Sequence, residues 1–172
     1  LERTLFDRSM TAIDERFETD SALQLRALLS LGDTLYRFGL NQRALEAYRR
    51  VLAGAKAGNC PPDTLWDARV GHTVVLKLLG DLEGAEAAAS KLSQHAAANS
   101  PPGSDMRRRA AIELASILGG KGNTAGAAKV WREMLETRKH DLLSLHAVGN
   151  LATHAARSGR LEEALRLRRE AY

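Results

Sequence analysis

The chain has 172 residues, with 25 Lys and Arg against 21 Asp and Glu, a net charge of +4 that mixes both signs and so does not single out nucleic acid. Apolar residues make up 44% and charged residues 27%, the balance of an ordinary globular chain, and one cysteine, Cys60, excludes an internal disulfide framework and fits a reducing, cytoplasmic setting. No run of about 18 apolar residues is present to span a membrane, and nothing at the start reads as a signal peptide.

Residues 1–18 carry Phe6, Met10, Ile13 and Phe17 at i, i+4, i+7 and i+11, one face of a helix. This segment reads as a capping helix or as the second helix of a preceding repeat. Thr19-Asp20-Ser21 supplies N-cap chemistry for the next helix. That helix is expected over 22–38, with Leu28, Leu31, Leu35 and Phe38 on its inner face. Gly39 ends it, and a partner helix follows over 42–55. A loop with Gly54, Gly58, Pro61 and Pro62 comes next, and Asp63 reads as the N-cap beyond it. Helices are then expected over 64–79 and 81–97, broken by Asn99-Ser-Pro-Pro-Gly-Ser-Asp105. Two more cover 106–118 and 124–138, and the last two 142–158 and 161–172. No segment alternates with period two for long enough to make a strand.

One step recurs: a glycine, then an alanine five residues on. It occurs at Gly39/Ala44, Gly80/Ala85, Gly122/Ala127 and Gly159/Ala164, and the glycines are 41, 42 and 37 residues apart. The glycine supplies the left-handed turn between two helices, and the single alanine methyl lets the two backbones approach. One helix-turn-helix unit is therefore repeated four times. The expected division is a helix at 1–20, repeat one at 21–58, repeat two at 62–99, repeat three at 104–138 and repeat four at 141–172. Together these make one all-α repeat domain over 1–172, with about nine helices.

These units resemble tetratricopeptide repeats, whose pattern is W-x2-L-G-x2-Y, then A-x3-F, then P. Repeat one has Leu28, Leu31, Gly32 and Leu35, then Ala44 and Tyr48. Repeat three has Ala111, Leu114, Ala115 and Leu118, then Ala127 and Trp131; repeat four has Val148, Leu151, Ala152 and Ala155, then Ala164. The period near 40 is similar to the kinesin-light-chain subclass, as is the pairing of Asn150-Leu-Ala with Gly159-Arg-Leu-Glu-Glu-Ala164. The N-terminal stretch also resembles repeat tails attached to bacterial serine/threonine kinases. Repeat two departs most, with Arg69 and His72 at apolar positions and Ala89 at the aromatic one; Leu65, Ala68, Val75 and Leu79 are its alternative core. Repeat four puts Arg168 at the aromatic position.

The residues suggest no catalysis. His72 falls at a seam and reads as a buried, hydrogen-bonded histidine. His146 and His154 lie about 12 Å apart along a helix, and with His140 they complete no metal site. Cys60 has no base near it in sequence. Gly119-Gly-Lys-Gly122 lacks the spacing of a phosphate loop and reads as a helix end. Arg107-Arg108-Arg109 reads as a solvated run. Trp66 and Trp131 read as packing residues. No cofactor or metal is expected.

The resemblance implies a right-handed superhelix of antiparallel helix pairs whose first helices line a concave groove. A peptide or helix of a partner protein would lie there, making the chain a non-catalytic scaffold. The groove positions are Arg26, Ser30, Asp33 and Arg37, then Asp67, Gly71, Val74 and Leu78, then Arg109, Glu113 and Ser116, then His146, Asn150, Thr153 and Arg157. Asn150 matches the asparagine that grips a ligand's backbone amide, while Ser30, Gly71 and Glu113 hold its place elsewhere. The acidic-end clamp of the family is not matched, because Leu29 and Asp33 replace its Lys and Asn. The alternatives are a sensor segment of a signalling enzyme such as a kinase, and an RNA-binding helical repeat. A start at Leu1 and an end inside the last repeat are those expected of a piece of a longer protein. The short last helix is expected to leave Leu161, Leu165 and Leu167 partly uncovered and open to self-association.

Overall fold

The computed structural model describes residues 2–18, 20–137 and 142–170. Of these, 85% are helical, and no strand occurs among them. The helices are α1 (Glu2–Arg16), α2 (Ser21–Arg37), α3 (Asn41–Gly54), α4 (Pro62–Leu78), α5 (Leu82–Asn99), α6 (Asp105–Gly120), α7 (Thr124–Thr137), α8 (Leu142–Arg157) and α9 (Leu161–Glu170). A short 3-10 turn, Ala55–Ala57, follows α3.

The four expected glycine turns are present, with φ of 74° at Gly39, 81° at Gly80, 82° at Gly122 and 77° at Gly159. Each closes its helix in the same way. The Gly39 N–H donates to Tyr36 O and the Leu40 N–H reaches back to Leu35 O, both at 2.9 Å; the other three glycines repeat this pair of bonds. Carbonyls left open at a helix end are satisfied by that pattern, which needs a left-handed residue. Space does not select glycine here, because a Cβ at any of the four would meet nothing within 4 Å. The next helix starts at once. The Asp81 carboxylate accepts from the Gly84 N–H at 2.9 Å, and the Asn123 side-chain oxygen accepts from the Gly126 N–H at 2.9 Å.

Other helix starts vary. Asp20 caps α2 by accepting from the Leu23 N–H at 3.0 Å. Asp63 does not cap α4. The helix begins at Pro62, and Pro61 holds the cap position. A proline fits the first helical position because it has no N–H to leave unpaired, which moves Asp63 into the first turn, where its charge suits the dipole.

The chain forms two compact units, 1–88 and 89–172, with the boundary inside α5. In the first unit α2 packs on α3, α3 on α4, and α2 also meets α4. Leu25, Leu28, Leu35, Ala44, Val51, Trp66, Ala68 and Val75 are buried there, and α1 adds Phe6 and Met10. At the centre is Tyr48, 1% exposed. Its ring lies between two glycines on different helices: a Cβ at Gly32 would come 2.8 Å from Tyr48 Cε1, and one at Gly71 would come 2.4 Å from Tyr48 Cζ. The aromatic of one repeat thus packs against its own first helix and the first helix of the next. Phe38, expected on the inner face, is 76% exposed. It is the C-cap of α2, one residue past the last turn, so the helical phase no longer directs it inward.

Repeat two keeps Ala68 and Val75 in its core, as its alternative register requires, while Leu65 and Leu79 are only half-buried. His72 is half-buried as well.

The second unit repeats the scheme. Ile112 and Ala115 of α6, Ala127, Ala128, Trp131 and Met134 of α7, and Ala147 and Leu151 of α8 form one cluster. Ala127 Cβ lies 3.9 Å from where a Cβ would stand on Gly119, which places this alanine at the α6–α7 crossing. All four alanines that follow the turn glycines are buried. The arginine run at the start of α6 is not solvated throughout. Arg107 donates to Ala97 O at 2.6 Å and to Ser100 O at 2.9 Å, covering the end of α5 with the positive charge its dipole favours. Arg108 is 2% exposed and donates to Ser144 Oγ of α8 at 2.9 Å. Only Arg109 is exposed.

Candidate functional site

The first helices of the repeats are α2, α4, α6 and α8. On α2, Arg26, Ser30, Asp33 and Arg37 recur at i, i+4, i+7 and i+11 and form a stripe opposite the buried Leu25, Leu28, Gly32 and Leu35. Arg26, Ser30 and Arg37 are exposed and Asp33 is half-buried. On α4, Asp67 is exposed, Val74 and Gly71 are half-buried, and Leu78 is 53% exposed.

Four of these expected positions, Gly71 among them, come together. Asp33, Asp67 and Val74 line one cleft with Tyr36, Tyr48, Val70 and Gly71, about 230 Å³ in volume. Its acidic wall is fixed from beneath, because the Tyr48 hydroxyl donates to Asp33 Oδ1 at 2.7 Å. Burial and this bond to a carboxylate hold the Tyr48 phenol protonated well above the ordinary tyrosine range. Gly71 stands where Asn150 stands in repeat four. It cannot carry a gripping side chain, since any Cβ would run into Tyr48. Tyr36 and Val70 were not among the expected residues; they flank the stripe, one on each helix, and the cleft admits them because Gly71 leaves its floor bare.

In the second unit α6 meets α8. Arg109, Thr153 and Arg157 are exposed, while Glu113, Ser116 and Asn150 are half-buried and engaged in interactions of their own. The Thr153 hydroxyl donates back to Gly149 O at 2.9 Å. His146 falls on α8, but its side chain is outside the described set, as are His140 and Arg138.

On α3 and α7, Arg50 pairs with Asp14 at 2.6 Å and Arg132 with Glu163 at 3.5 Å. Arg43 lies 4.7 Å over the Phe6 ring. These contacts tie the second helices to their neighbours. Burial pushes the Cys60 thiol above its usual range, so it is a poor nucleophile at neutral pH. Among the described residues no three His, Cys, Asp or Glu side chains group as a metal site, and no helix is long and apolar enough to cross a membrane.

Paired helices, left-handed glycine turns and an aromatic wedged between successive first helices define a tetratricopeptide-type fold. Solved structures agree. The chain is similar to BtubC (BKLC) from P. vanneervenii, with a TM-score of 0.77, 18% identity, and coverage of 98% of this chain and 70% of that one. It is similar to a putative kinesin light chain with nearly identical TPR-like repeats from Podosopora anserina, with a TM-score of 0.72, 17% identity, and coverage of 86% and 73%. MamA from Desulfovibrio magneticus RS-1 gives 0.71 and 15%, covering 99% and 85%. At these identities the likeness is one of fold. No family model and no curated protein matches the chain by sequence.

Proposed function

We propose that this chain is a non-catalytic scaffold that binds a segment of a partner protein on the face of its first helices. The observation that carries the reading is the set of exposed arginines on the first helices, Arg26, Arg37, Arg109 and Arg157. The second helices expose Arg49 and Arg132 as well, but there Arg50 and Arg132 pair within the chain. Exposed arginines offer a planar fork for carboxylates and carbonyls. Asn150 in repeat four can donate to one half of a peptide bond and accept from the other. Asp33, Asp67 and Glu113 lie among these arginines, which disfavours a polyanion such as RNA. A single thiol suits a cytoplasmic setting. Leu161 and Leu165, 63% and 57% exposed on α9, support self-association as a secondary property, which sedimentation showing a strict monomer at high concentration would remove.

The test is capture of the natural partner from extract, followed by comparison of two variants of matched stability. One carries Arg109, Asn150 and Arg157 all changed to alanine; the other carries Arg49, Arg50, Arg132 and Arg138 changed to alanine. The first should lose binding, by roughly 1–3 kcal/mol per buried contact. Loss in the second alone would overturn the assignment.

A further inference from the structure

Resting on the reading above, we propose that the cleft between α2 and α4 takes one lysine or arginine side chain of the partner segment. About 230 Å³ is too small for a cofactor or drug-sized ligand and suits a single side chain. Its lining holds two carboxylates, Asp33 and Asp67, brought from different helices, and no basic residue. Val70, Val74 and the 41% exposed ring of Tyr36 supply the remaining wall. That combination suits a long aliphatic stem ending in a cation: the stem lies along apolar surface, and the head reaches the carboxylates or the ring face. Asp33 already accepts from Tyr48 through Oδ1, which holds the group in place, and a carboxylate can accept several hydrogen bonds at once. The floor is backbone and buried ring, because Gly71 can carry no side chain without striking Tyr48. Arg37 lies outside the lining but close enough to act on Tyr48, and it opposes a bound cation.

The probe is a phage-displayed library of random dodecapeptides selected on the whole chain. An enriched peptide is then compared with its Lys→Gln or Arg→Gln counterpart by fluorescence anisotropy. Selected peptides should share a basic residue at one position. Replacing it, or making Asp67→Asn in the protein, should each weaken binding about tenfold, and the two losses should not add. Arg37→Ala should tighten the basic peptide and leave the neutral one unchanged. Thermal melts check that the variants remain folded. Enrichment of acidic or wholly apolar peptides, or equal binding by Asp67→Asn, overturns the cleft assignment. If the triple variant at Arg109, Asn150 and Arg157 still loses those peptides, the scaffold reading survives it. A library that yields no peptide overturns both.

Discussion

Tyr48 shows how one side chain can set several properties together. It fills the space between Gly32 and Gly71, and it orients Asp33. Gly71→Ala therefore sets two effects against each other. Alanine gains about 0.5–1 kcal/mol over glycine inside a helix. Its Cβ would stand 2.4 Å from the Tyr48 ring, which is 1% exposed and tied to Asp33 by its hydroxyl. The clash should win, with a net loss of about 1–3 kcal/mol in a denaturant titration. Tyr48 also predicts a pH effect. Its phenol keeps its proton in the folded chain far above the unfolded value of about 10. Above that pH the unfolded state releases the proton and the native state does not, so stability present below pH 10 falls as pH rises. Tyr48→Phe should make the alkaline decline shallower by about one proton, read as stability against pH from 9 to 11. The family resemblance marked Tyr48 as the repeat's aromatic and Asp33 and Asp67 as groove positions. It could not show the cleft, because that depends on which ring meets the first helix of the following repeat.

At the scale of helices, the turn and the crossing are the sensitive points. Gly122→Ala should cost about 1–2 kcal/mol through backbone conformation alone, since open space surrounds the site. Ala127→Leu should cost about 1–3 kcal/mol, for the opposite reason that the α6–α7 crossing is full. A melt unchanged by Ala127→Leu at equal helicity would show that the crossing tolerates a larger side chain. Both positions were legible because the Gly-to-Ala step repeats four times. The fate of Arg107, Arg108 and Arg109 was not legible. Three adjacent residues of one type carry no period, and the phase of α6 decides which of them turns inward. Asp63 was misread for a similar reason: its type suits a cap, but the two prolines before it set where the helix begins.

Across the whole molecule, helix content and the absence of strand among the described residues follow from periodicity and from glycine and proline punctuation. Circular dichroism should accordingly show a helical spectrum with no strand signature. The partner is a different matter. Binding depends on which outward side chains share a face, and outward positions leave little trace in a hydrophobic pattern. The stripe of α2 came with the family resemblance, and it lies opposite the buried Leu25, Leu28, Gly32 and Leu35 of the same helix. Repeat two was harder, since Ala89 replaces the aromatic that gives repeats one and three their phase through Tyr48 and Trp131.

The four glycine turns carry a consequence that concerns handedness of the residue itself. Each glycine sits at a φ between 74° and 82°, with nothing within 4 Å of the place a Cβ would take. That conformation is uncomfortable for an L-residue and natural for its mirror image. A D-alanine built in at position 122 by chemical synthesis would carry no backbone strain, its methyl taking the place of the glycine's other α-hydrogen. It would also restrict the unfolded chain, which glycine leaves free, for a gain of about 0.4–1 kcal/mol. L-alanine and D-alanine at this one position should thus move the melting temperature in opposite directions, a test in which composition, volume and hydrophobicity are all held equal.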